Sequence, residues 1–213
     1  MAHEAQARLY VATAADVDAR ALASVLDAAH AATLLITAAP SAPLTAAGAR
    51  PLVELAQAKD IAALIEGDAQ LARTLRADGV HLPWSKDVAA DYAEAREVLG
   101  TRYIVGVDVG RSRHDAMSIA EDGADYIAFG IPPHVEDRDG AGARRRELIA
   151  WWSEIFEVPC VAFDVETLDE ARVLAAAGAD FIAMRADVVL DSTTAARLAG
   201  DIAEAARQRE ALA

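Results

Sequence analysis

Apolar residues recur along the chain in eight short runs: Leu9–Ala12, Thr33–Thr37, Ile61–Ile65, Gly79–Leu82, Tyr103–Val107, Tyr126–Phe129, Cys160–Phe163 and Phe181–Met184. Each is nearly continuous in apolar or β-branched character, which is how a strand reads when both its faces are buried. Between the runs, apolar positions fall three and four apart, as with Val17, Leu22, Val25, Leu26 and Ala29 in the first interval and Leu168, Ala171, Leu174 and Ala175 in the seventh. That spacing predicts amphipathic helices. Strands alternating with helices predict βα units around a parallel sheet, and eight units in 213 residues predict one α/β domain over 1–213, a compact (β/α)8 TIM barrel. A doubly wound open sheet uses the same units; the count of eight favours closure.

A weak internal repeat supports the same architecture. It comprises Arg76-Ala77-Asp78-Gly79-Val80-His81-Leu82, Asp122-Gly123-Ala124-Asp125-Tyr126-Ile127-Ala128 and Ala177-Gly178-Ala179-Asp180-Phe181-Ile182-Ala183. Each segment is read as a helix end joined to a strand start: glycine closes the helix in a left-handed conformation, aspartate follows in the turn, and the apolar run enters the sheet. The longest irregular stretch, Gly130 to Ala143, holds Pro132, Pro133, Gly140 and Gly142 and is predicted to be an extended loop after the sixth strand.

Charge and cysteine content narrow the function classes. A net charge of −14 and a pI near 4.7 oppose binding to nucleic acid or to an anionic membrane surface. Cys160 is the single cysteine, so no intramolecular disulfide forms, and Met1 to Gln6 lacks the basic and apolar pattern of a signal peptide. No run reaches the roughly 18 apolar residues of a membrane span. These features lead us to expect a cytoplasmic protein acting on a small molecule, with a homo-oligomer open as an arrangement.

Barrel chemistry sits where the strands end at their carboxyl termini, so the residues there are the candidates. They include Thr13, Thr37, Glu66, Asp68, Trp84, Asp87, Asp108, His134, Asp137, Arg138, Asp164, Glu166, Arg185 and Asp187. Carboxylates dominate this set. Convergent acids, Glu66, Asp68, Asp87, Asp108, Asp164 and Asp187, could take Mg²⁺ or serve as acid and base; equally, an acid after a strand caps the next helix. His81, inside an apolar run, is read as a core or rim histidine. Arg144, Arg145 and Arg146 form the only basic run and are expected at a solvated loop end or an interface, beside Trp151 and Trp152. With Trp84, these aromatics also fit an interaction or scaffold protein.

Leu9-Tyr10-Val11, Asp78-Gly79-Val80-His81-Leu82, Gly123-Ala124-Asp125-Tyr126-Ile127 through Gly130, Pro159-Cys160-Val161-Ala162 and Gly178-Ala179-Asp180 together resemble the thiamine phosphate synthase/TenI family over nearly the whole chain. The resemblance implies a (β/α)8 barrel. It also implies either a Mg²⁺-dependent synthase that joins an aminopyrimidine diphosphate to a thiazole phosphate, or a metal-free TenI-type protein acting on a thiazole phosphate. The family's polar signatures are replaced at the matching positions. Its Gln-x-Arg-x-Lys falls on Ile36, Ala38 and Pro40, its Asn-Asp on Glu66-Gly67, and its Gly-Gln-x-Asp on Pro83-Trp84-Ser85-Lys86. Further along, Ser-x-His falls on Asp108-Val109-Gly110, and Thr-x-Thr-Lys on Val135-Glu136-Asp137-Arg138, which keeps only a cation. The phosphate-holding Gly-Gly falls on Asp164-Val165. The expectation is therefore a divergent barrel with weak or absent synthase activity that requires no cofactor, Mg²⁺ entering only if it is active. Glu66, Asp68, Asp87, Asp108, Arg138, Asp164 and Arg185 are its candidate ligand-binding residues, with Arg138 on a loop that covers the ligand.

Overall fold

Strands and helices alternate through the whole chain: β1 (Arg8–Ala14), α1 (Ala19–Ala29), β2 (Thr33–Thr37), α2 (Ala46–Gln57), β3 (Ala62–Glu66), α3 (Ala69–Leu75), β4 (Gly79–Leu82), α4 (Val88–Leu99), β5 (Ile104–Asp108), α5 (Arg113–Glu121), β6 (Tyr126–Phe129), α6 (Arg138–Ile155), β7 (Cys160–Val165), α7 (Leu168–Ala177), β8 (Phe181–Arg185) and α8 (Ser192–Glu210). The computed structural model describes residues 7–211 apart from 133 and 190. Met1 to Gln6, read above for a leader, and Pro133 lie outside the described residues. Neighbouring strands pair in sequence order, all parallel, and β8 returns to β1, so that Tyr10 stands opposite Thr33 on one side and Ala183 on the other. The sheet is a closed (β/α)8 barrel.

Alternation along each strand divides the core in two. Leu9, Val11, Leu34, Ile36, Ala63 and Ile65 point outward and are buried under helix faces carrying Leu22, Leu26, Leu52 and Trp152. Tyr10, Leu35, Leu64, Tyr126, Val161 and Ala183 point inward and fill the barrel. Burying each large apolar side chain contributes about 1.5–3 kcal/mol, so the outer layer, which is much the larger, carries most of the stability. Inside, the Tyr126 hydroxyl lies 3.0 Å from that of Tyr10 and 2.9 Å from His81 Nδ1, and the His81 ring stacks on Phe163 at 4.4 Å. Gly106 makes room for this: a Cβ there would meet the Tyr126 ring at 1.8 Å.

The sequence repeat has a structural meaning more regular than its residues suggest. Helices α1, α3 and α7 end on a left-handed residue, His30, Arg76 and Gly178, and α5 reaches the same conformation at Gly123. The next residue, Ala31, Ala77, Ala179 or Ala124, donates back to the carbonyl of Leu26, Ala72, Leu174 or Ile119, closing a Schellman turn. In three of the four units the following aspartate clamps the previous strand from both sides. Asp78 donates its N–H to the Ala63 carbonyl and accepts the Ala63 N–H at 2.8 Å; Asp125 does the same with Val105 and Asp180 with Cys160. The left-handed residue of the 76–82 segment is thus Arg76, not the glycine. Gly79 instead permits close strand approach, since a Cβ there would lie 2.0 Å from the Ile104 carbonyl oxygen.

Two expectations are corrected. The loop after the sixth strand ends at Asp137, not at Ala143, because Asp137 caps α6 by accepting the Gly140 N–H at 2.9 Å. Gly140 and Gly142 lie inside the helix at a cost of about 1 kcal/mol each. Burial of Ala141, Arg145, Leu148, Ile149 and Trp152 on the same helix outweighs it. The basic run accordingly sits within α6 rather than at a loop end, and Arg145 is fully buried. Trp152 is buried as well, donating from Nε1 to the Val158 carbonyl at 2.7 Å, so it offers nothing to a partner.

Candidate active site

At the carboxyl ends of the strands the opening is divided. Trp84, from the turn after β4, packs across Gly110 after β5 together with Pro132 after β6; a Cβ on Gly110, whose φ is +59°, would sit 2.8 Å from Trp84 Cδ1 and 3.0 Å from Pro132 Cγ. The His134 ring lies 4.8 Å from Trp84. These side chains fill the β4–β6 half. The other half is a cavity of about 580 Å³ bounded by the ends of β1, β2, β3, β7 and β8 and by one face of α1. Its walls include Ala12, Leu22, Val25, Leu35 and Phe163, and its polar rim Thr13, Asp16, Thr37, Glu66, Asp164, Arg185 and Asp187.

Local geometry explains how each charged group is held. Glu66 ends β3, half-buried, and both its burial and the nearby Asp164 carboxylate raise its pKa. Asp164 lies within β7 at φ +57°, a left-handed conformation that aspartate tolerates better than most residues, and the β7–β8 register is irregular between Ala162 and Val165. Its Oδ2 accepts the Ile131 N–H at 3.0 Å. Asp108 ends β5 and is 5% exposed; its Oδ1 accepts the N–H groups of Gly110 at 2.8 Å and Gly130 at 3.0 Å. Burial pushes the Asp108 carboxyl up to about 7, against those two hydrogen bonds, with Asp164 adding to the rise and Arg145 opposing it. The two aspartates converge over Gly130, where a Cβ would lie 2.3 Å from Asp108 Oδ2 and 3.0 Å from Asp164 Oδ2.

Three arginines near this end are engaged by acids of the same chain. Arg185, exposed, holds Asp187 through Nε at 2.9 Å and through a second contact from Nη2. Arg138, the first residue of α6, donates to the Ile131 carbonyl at 3.3 Å and to Glu166 at 3.2 Å. Arg145 reaches the Phe163 carbonyl and Glu170 from beneath.

Among the residues singled out from the sequence, the structure brings Glu66, Asp164 and Arg185 to one cavity and sets Asp108 behind Asp164. It separates Asp68 and Asp87 from them. Asp68 caps α3, accepting the Leu71 N–H at 2.8 Å, and faces a different cleft of about 320 Å³ with Ser85, Asp91 and Glu94. Asp87 stands exposed at the cap position of α4. Among the described residues, no group of three or more His, Cys, Asp or Glu side chains is arranged to hold a metal ion. Asp16, Leu22, Val25 and Phe163 were absent from the sequence-based set. The α1 residues carry the same helical spacing as any core face, and only the off-axis position of the cavity exposes them to a ligand.

Comparisons with known proteins bear on the fold and the family. The family profile described as thiamine monophosphate synthase matches residues 9–188. A thiamine-phosphate synthase of Rhodospirillum centenum is 38% identical over 185 residues, covering 83% of this chain and 86% of that protein. Another, of Erythrobacter litoralis, is 43% identical over 138 residues, covering 64% of this chain and 63% of the relative, less than two thirds of its length. Among solved structures, a thiamine phosphate pyrophosphorylase from Pyrococcus furiosus superposes with a TM-score of 0.72 over 97% of this chain and 98% of that one, at 21% identity. A Mycobacterium tuberculosis tryptophan synthase superposes nearly as well, at 0.68 and 15% identity over 96% and 94%, so the structural likeness speaks for the barrel alone. The sequence matches go further, and by them the chain belongs to the thiamine monophosphate synthase/TenI family.

Proposed function

We propose that this family member binds a small organic cation or neutral heterocycle in the off-axis cavity and has lost synthase turnover. One observation carries the reading: the cavity pairs apolar walls with Asp16, Glu66, Asp164 and Asp187, while its one lining cation, Arg185, is already engaged by Asp187. A phosphate oxygen brought to about 4 Å from one of these carboxylates meets a repulsion of about 4 kcal/mol per pair of unit charges at a surface-like dielectric. The opposite term at Arg185 is offset by Asp187, which already holds its guanidinium, so the acids outnumber the cation at the rim. A flat, positively charged ring reverses the sign of the same term and gains by covering Leu35, Val25 and Phe163.

Thiamine is a suitable probe because it is a heteroaromatic cation that can be compared with its own phosphate. Calorimetry and thermal melting of the purified protein are expected to show binding and stabilisation by thiamine, weaker binding of thiamine phosphate and none of pyrophosphate. Mixing aminopyrimidine diphosphate with thiazole phosphate and Mg²⁺ is expected to release no pyrophosphate. Turnover at ordinary enzyme rates, or stabilisation by phosphorylated ligands and not by thiamine, overturns the proposal.

A further inference from the structure

Of the basic run that no site reading absorbed, Arg145 lies beneath the cavity wall, while Arg144 and Arg146 are exposed. Arg145 is fully buried on α6, and its guanidinium makes two contacts with one short stretch of chain: Nη1 donates to the Phe163 carbonyl and Nη2 to Glu170 Oε1. Glu170, in the first turn of α7, turns its other oxygen to the Glu166 N–H at 3.0 Å. One arginine and one glutamate therefore hold both ends of the Phe163–Glu166 segment. Between those ends Asp164 adopts its left-handed backbone, and Phe163 and Asp164 form one wall of the cavity. From above, Asp164 Oδ2 accepts the Ile131 N–H, while Arg138 joins the Ile131 carbonyl to Glu166, so the loop after β6 is registered on the same segment.

An ion pair with a buried guanidinium is a weak source of stability, because desolvating the arginine offsets much of the attraction and apolar replacements commonly do as well. What such a pair does supply is geometry, since a planar guanidinium fixes its two acceptors relative to each other. A left-handed aspartate also persists only where its surroundings hold it.

We propose that Arg145 and Glu170 are the positioning pair of the site, holding Phe163–Glu166 so that Phe163 and Asp164 face the cavity and thereby setting its affinity for a cation. The affinity part rests on the cation reading above; the positioning part does not.

Three variants test it: Arg145→Met, Arg145→Lys and Glu170→Gln, each titrated with thiamine and each followed by amide hydrogen exchange. Thiamine affinity is expected to fall about tenfold or more in Arg145→Met and Glu170→Gln, with Arg145→Lys between them and the wild type. Exchange protection is expected to drop at the amides of Ile131 and Glu166 while β2, β3 and β4 keep theirs. A merely structural arginine would instead lower protection throughout the barrel. Unchanged protection at Ile131 and Glu166, uniform loss everywhere, or wild-type thiamine affinity in both Arg145→Met and Glu170→Gln overturns the inference. If the wild type binds no thiamine, the cation reading falls and the exchange arm alone decides the positioning role. If Arg145→Met does not fold, Glu170→Gln carries the test, because its carboxylate is partly exposed and its shape is kept.

Discussion

Asp108 and His81 show how one barrel interior drives two titrations in opposite directions. Burial favours the uncharged form of each, so the Asp108 carboxyl rises to about 7 and the His81 imidazole falls to about 3. For Asp108 the folded chain holds its proton more tightly than the unfolded one. The stabilisation this gives is complete below the ordinary carboxylate range and is lost as pH rises to about 7. For His81 the folded chain disfavours the proton, so its contribution is complete above about 6.5 and is lost as pH falls towards 3. Asp108→Asn separates the two, because an amide oxygen can still accept the Gly110 and Gly130 N–H groups without titrating. The stability difference between wild type and Asp108→Asn is expected to shift against the wild type by a few kcal/mol, at about 1.4 kcal/mol per pKa unit, between pH 4 and pH 7. Denaturant unfolding of both proteins across that range measures it, and a constant difference would show that Asp108 stays ionised. Neither shift was legible in the sequence: His81 stood in an apolar run, but nothing near Asp108 in the chain indicates that Gly110, Gly130 and Asp164 surround it.

Secondary elements here are joined by a unit that the sequence shows and the structure explains. The aspartate of each repeat closes a reciprocal pair of hydrogen bonds on the strand before it, so removing the side chain leaves a strand N–H without its acceptor. Asp78→Ala and Asp180→Ala are each expected to destabilise the protein by about 1–3 kcal/mol, the usual penalty for a donor so deprived. Asp122→Ala, an exposed position in the same repeat outside the clamp, is expected to change stability by no more than about 0.5 kcal/mol. Equal effects at all three positions in urea unfolding would remove the clamp explanation. The fourth unit places Ala32 where the others have aspartate and still donates to the Leu9 carbonyl, so the turn forms without the side chain and the carboxylate only reinforces it. The start of α6 escaped the same kind of reading. Its glycines and mixed charges look like a loop, and only the packing of Arg145, Leu148 and Trp152 against the barrel makes a helix from Arg138 onward favourable.

For the molecule as a whole, a net charge of −14 is a standing repulsion that added salt screens within a Debye length of about 10 Å at 0.1 M. Exposed pairs such as Lys59–Asp27 and Arg207–Glu204 pull the other way but contribute at most about 1 kcal/mol each. The melting temperature is therefore expected to rise as salt increases to about 0.5 M, and a fall would mean that the surface pairs outweigh the net charge. Closure of the barrel was decided by the sequence, because eight doubly buried strands alternating with amphipathic helices have few other ways to cover both faces of a parallel sheet. So was the family, through the 77–82 segment and its repeats, and so was the acidic character of the strand ends. The tertiary structure alone decided which acids share a site. Glu66 and Asp164 meet across the barrel although almost a hundred residues separate them, whereas Asp68 is turned to a helix cap two positions beyond Glu66. It alone placed the cavity off the axis, because Trp84 after β4 and Pro132 and His134 after β6 come from two different loops and meet over one half only once the barrel has closed. And it alone made Arg145 a buried partner of β7 rather than one of three surface cations. The physical reason is common to all three: strand and helix periods are local and can be read along the chain, but burial, charge pairing and cavity shape depend on distances that exist only after closure.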